Sequence, residues 1–61
     1  MWEGKVTAEL IELVEEYMEM THGIPPDGYD EICYENMPYE RFVGYIRAAL
    51  KKGVELPDVV P

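Results

Sequence analysis

The sequence predicts an all-α fold: two main helices, at about 6–22 and 38–52, a partly structured connector, and an extended C-terminal tail. Two observations carry this. Apolar residues recur at helical spacing in two stretches, and each stretch ends on residues that stop a helix. No linker divides the chain, so residues 1–61 are read as a single small helical domain.

In the first stretch, VTAELIELVEEYMEMT, successive residues are placed about 100° apart. Val6, Leu10, Leu13, Val14, Tyr17 and Met20 then share one side, which Ile11 and Met18 widen. Glu9, Glu12, Glu15, Glu16 and Glu19 fill the other with no apolar residue among them. Thr7 suits the N-cap, with Gly4 as an earlier alternative. Gly23 is assigned to the position just past the C-terminus, and Pro25–Pro26 cannot continue the helix. Glu15, Glu16 and Glu19 oppose the helix dipole at that end, so a cation packed nearby would relieve them. The apolar side covers about 180°, whereas one neighbouring helix fills about 100°. The helix is therefore expected to touch two things: the second helix, and either the connector or another copy of the chain.

The connector, Gly23 to Met37, opens on a Pro-Pro-Asp-Gly turn. Tyr29, Ile32 and Cys33 have helical spacing, which favours a helical turn over Tyr29–Tyr34; the competing reading is a short extended piece with Ile32 and Tyr34 on one face. In the second helix Pro38 is placed in the first turn. Tyr39, Phe42, Val43, Ile46, Ala49 and Leu50 make its apolar side, Lys51 and Lys52 suit the dipole in its last turn, and Gly53 ends it. Its Phe42–Ile46–Ala49–Leu50 side is expected to dock on Leu10, Leu13 and Tyr17. Val54, Leu56, Val59 and Val60 form an apolar tail broken by Pro57 and Pro61 and folded back over the pair. The connector is long enough for either direction of return. The shorter route favours an antiparallel helical hairpin, with Arg41 near Glu15, Glu16 and Glu19 and Arg47 nearer Glu9 and Glu12.

A chain of 61 residues buries only about 60% of its unfolded surface, and such scaffolds usually need a staple. Cys33 is the only cysteine, so there is no intrachain disulfide, which fits a reducing compartment. The expected localisation is cytoplasmic, since MWEGKVTAEL has no basic region followed by a long apolar run. Association remains as the staple, and a homo-oligomer is the expectation. The net charge of −8 is unevenly spread: residues 1–37 carry −9 and residues 38–61 carry +1. Such a surface repels phosphates and anionic lipids, so neither direct nucleic-acid binding nor membrane binding is expected, while a basic protein partner suits it.

No convergent polar set points to catalysis. The chain has no serine, and Cys33 lacks a histidine or basic neighbour in readable relation, so it is read as a half-buried apolar residue. His22 reads as an ordinary C-terminal helix residue. Asp27, Asp30, Glu31 and Glu35 lack the spacing of a calcium loop. No enzyme activity, cofactor or metal site is expected. What remains are surfaces. Ile11, Met18, Tyr29, Tyr34, Tyr39 and Tyr45 are the candidate interaction residues, because tyrosine is enriched at interfaces; the bland alternative is that the tyrosines roof a small core. Glu9, Glu12, Glu15, Glu16 and Glu19 form a candidate acidic face, whose bland alternative is a solvated helix surface. The expected function is a small protein–protein interaction module or accessory subunit that self-associates. The alternative is an acidic nucleic-acid mimic that inhibits a DNA- or RNA-binding protein, as in mobile elements.

Overall fold

A computed structural model describes Trp2, residues 4–34 and residues 36–60. Regular structure among them is wholly helical: α1 (Ala8–Met20), α2 (Tyr39–Lys52) and, within the tail, a single 3₁₀ turn at Leu56–Asp58. Helix α1 starts where its chemistry requires. Thr7 is extended, and its Oγ1 accepts the Leu10 N–H at 3.1 Å, which satisfies one orphan donor of the first turn. Pro38 is the N-cap of α2 rather than a residue of its first turn; its carbonyl accepts the Arg41 and Phe42 N–H groups.

Both helices end on a left-handed residue, with different chemistry. Gly53 (φ 70°) closes α2 while the Val54 N–H returns to the Ala49 carbonyl. At the end of α1 the equivalent residue is His22 (φ 61°), one position before the glycine expected there, and Gly23 N–H returns to the Met18 carbonyl at 2.7 Å.

The helices run in the same sense. Their starts meet where the Thr7 and Tyr39 hydroxyls hydrogen-bond at 2.6 Å. Their ends meet where Met20, Thr21 and His22 face Gly53, Val54 and Glu55. The antiparallel hairpin is thus corrected: the connector carries the chain back along α1 before α2 begins. What makes the long route worthwhile is apolar burial by the connector itself. Pro26 and Tyr34 are buried, and the Tyr34 ring meets Phe42 edge to face with centroids 5.3 Å apart.

The connector is a series of tight turns. Gly28 N–H bonds the Pro25 carbonyl, closing the expected Pro-Pro-Asp-Gly turn. Ile32 N–H bonds the Tyr29 carbonyl, so the chain reverses over Tyr29–Ile32 and no helical turn reaches Tyr34. From there Ile32 faces in, Cys33 out and Tyr34 in, the alternation of extended chain. Cys33 is exposed, not half-buried.

The core joins Leu10 and Tyr17 of α1, Tyr34, then Phe42, Val43, Ile46 and Ala49 of α2, and Leu56 of the tail. Leu13 and Leu50 pack at its margin. Tyr17 is fully buried, and a directed relay satisfies its hydroxyl. The Leu56 N–H donates to Tyr17 Oη at 2.8 Å, Tyr17 pairs with the Tyr29 hydroxyl, and Tyr29 donates to Glu55 Oε1 at 2.9 Å. One orientation uses every proton: Leu56 to Tyr17, Tyr17 to Tyr29, Tyr29 to the carboxylate. The tail is clipped to α1 and the connector by this chain of donors.

Candidate functional site

The N-terminal segment folds back on the helices because Gly4 has no side chain. A Cβ there would stand 2.3 Å from the Trp2 ring. Trp2 instead stacks on Phe42, with centroids 4.3 Å apart and planes 15° from parallel. Its backbone N–H donates to Asp27 Oδ2 at 2.9 Å and its indole N–H to the Lys5 carbonyl at 3.2 Å.

This arrangement leaves a groove of about 240 Å³ along one shoulder of α1. Its apolar lining draws on Trp2 and Val6 of the N-terminal segment, Ile11 and Val14 of α1, and Pro26 of the connector. Two carboxylates, Glu15 and Asp27, stand among these apolar residues. Val6 is 66% exposed and Ile11 50%, the two most exposed large apolar side chains among the described residues. Periodicity had placed Val6 on the core side; α1 begins only at Ala8, so helical spacing does not govern it.

The six candidate interaction residues do not form one surface. Ile11 lines the groove, and Met18 shares its row of α1 two turns on, half-buried. Tyr34 is 5% exposed and belongs to the core, its hydroxyl donating to the Pro26 carbonyl. Burial, and then the charges of Asp27 and Glu31, push its hydroxyl well above the ordinary phenol range. Tyr29 is raised in the same direction by desolvation and its bonds to Tyr17 and Glu55. Tyr39 is fixed by Thr7, with Lys5 Nζ 5.4 Å from its ring centroid. Tyr45 lies in a separate recess with Cys33, Met37 and Arg41. Trp2, Val6, Pro26 and Asp27 line the groove without having been singled out; the available signal was a glycine between two large apolar residues of a short lead-in.

All five glutamates of the acidic face are exposed. Among the described residues the one ion pair joins Glu9 to Arg47. Arg41 is in the recess beside Tyr45, so the expected neighbourhood of Arg41 and Glu16 is corrected by the parallel path of α2. Among the described residues no three His, Cys, Asp or Glu side chains converge as metal ligands, and Glu35 of the connector carboxylates lies outside those residues. Nor is any described helix long and apolar enough to cross a membrane. No protein-family model matches the chain, and no curated protein or solved structure does either.

Proposed function

We propose that the protein is a small interaction module that docks a protein partner through the groove between Trp2, Val6, Ile11 and Val14. The observation that supports this is the mainly apolar lining left open beside the core, with Val6 and Ile11 as its most exposed apolar members. On a domain this small, apolar area left in water forgoes about 25 cal/mol per Å² of stabilisation, which favours a functional reason for it. The lone exposed cysteine fits work in a reducing, cytoplasmic setting. Ile11→Asn tests the reading, because Ile11 contributes little to the core. The variant is expected to melt like the wild type and to lose whatever the wild type retains in affinity capture, be it another protein or its own copies. Retention of the same protein by both forms overturns it.

A second reading, an acidic mimic of a nucleic-acid backbone, is favoured by Glu12, Glu15, Glu16 and Glu19, exposed and without an ion pair among the described residues. Its mark is a partner displaced by duplex DNA or RNA and indifferent to Ile11→Asn.

A further inference from the structure

Resting on the docking reading above, we propose that the groove's occupant is a cationic amphipathic segment of another protein, one or two apolar side chains entering between Trp2, Ile11 and Val14 while flanking lysines or arginines meet Glu15 and Asp27. Three observations select this occupant. The first is size. At about 240 Å³ the groove falls below the roughly 300–1,000 Å³ of small-molecule pockets, and suits anchoring side chains of a larger body. The second is charge. Apart from Phe42, every lining residue comes from residues 1–37, the part of the chain that carries −9. Glu15 sits about 40° round α1 from Ile11, with Glu19 and Glu12 next in order, so the apolar shoulder passes directly into carboxylates. A second copy apposed on the same face would bring the same carboxylates against them, and anionic lipid would be repelled likewise.

The third is area. The chain exposes 4211 Å², against about 4,100 Å² expected for a monomer of this length. Connector and tail add Pro26, Tyr34 and Leu56 to the buried core that α1 and α2 share, so no large surplus of surface calls for a twin. The need that remains is local: an apolar strip with an acidic border.

The test uses the full chain and a labelled synthetic helix of about eighteen residues, leucines on one face and lysines on the other, beside its glutamate-for-lysine counterpart. Trp2, the only tryptophan, lines the groove and supplies a fluorescence readout. The leucine–lysine peptide is expected to bind and shift Trp2 emission, and the leucine–glutamate peptide to do neither. Ile11→Asn is expected to weaken binding at least about tenfold. Glu15→Gln is expected to weaken it about threefold, and Glu16→Gln, the same charge change about 140° from Ile11, to leave it unchanged. Thermal melts of all three variants confirm that the fold is kept. Equal losses from Glu15→Gln and Glu16→Gln, or binding indifferent to Ile11→Asn, would reduce the effect to diffuse charge and overturn the proposal. A dimer in sedimentation that Ile11→Asn dissolves and the lysine peptide cannot displace overturns the partner class and leaves the docking groove standing. If neither assembly nor peptide binding responds to Ile11, both readings fail.

Discussion

Two single residues hold more of this molecule than their size suggests. Gly4 gives the Trp2 ring its place, since a methyl group there would overlap it. Gly4→Ala is therefore expected to release Trp2 from Phe42, seen as a red shift and increased quenching of tryptophan fluorescence while helicity is retained; unchanged emission would show that the ring has another resting place. His22 has the opposite character. It holds a left-handed conformation at the end of α1 that a residue with a Cβ reaches at a cost of about 1–2 kcal/mol, and α2 avoids that cost with Gly53. His22→Gly is expected to raise stability by about 0.5–1 kcal/mol, measured by urea denaturation at constant slope. Neither role follows from residue type alone. Gly4 could be taken for a helix cap, and a glycine immediately after a histidine is the natural choice for the left-handed position, whereas here both His22 and Gly23 have positive φ.

At the scale of elements, the two helices were legible because each carries a local signature that packing did not have to overrule. Thr7 caps as its side chain allows, Gly53 terminates, and Leu10, Tyr17, Phe42 and Ile46 fall inside. The connector was not legible in the same way. Its order depends on distant partners: Tyr34 on Phe42, Asp27 on the Trp2 amide, Tyr29 on Glu55. Local spacing cannot register such partners; of the two readings it left open over Tyr29–Tyr34, the extended one with Ile32 and Tyr34 on one face describes the end of the segment, and the favoured helical turn does not. Charge pairing was legible in part: Arg41 is not beside Glu16, but Arg47 meets Glu9 as expected, through side chains 57% and 52% exposed, a class of pair worth about 0–1 kcal/mol. A double-mutant cycle of Arg47→Ala with Glu9→Ala is expected to give a coupling of a few tenths of a kcal/mol that shrinks as salt rises past about 0.1 M. Arg41 with Glu16 is expected to be additive.

Over the whole molecule, the direction of α2 was the least legible feature. Sequence fixes how far a connector reaches, not which of two apolar routes it takes. The parallel route is settled by buried aromatic residues that would otherwise roof the surface. Their burial has a pH consequence. Tyr34 and Tyr29 are held above the ordinary phenol value, so the unfolded chain gives up these protons near pH 10 while the folded chain keeps them. Their contribution is fully present below about pH 10 and falls as pH rises further, for Tyr34 by up to about 1.4 kcal/mol per pH unit. Circular dichroism and tyrosinate absorption should change together above that pH, and Tyr34→Phe should flatten the slope. The relay from Leu56 through Tyr17 and Tyr29 to Glu55 has another consequence, for the order of events during synthesis. While the ribosome has delivered only α1 and the connector, Tyr17 has neither the amide that bonds it nor the leucine that covers it. The clasp closes when residue 56 has emerged. Until then Tyr17 stays uncovered, and the packing of α1 against the connector waits on the tail.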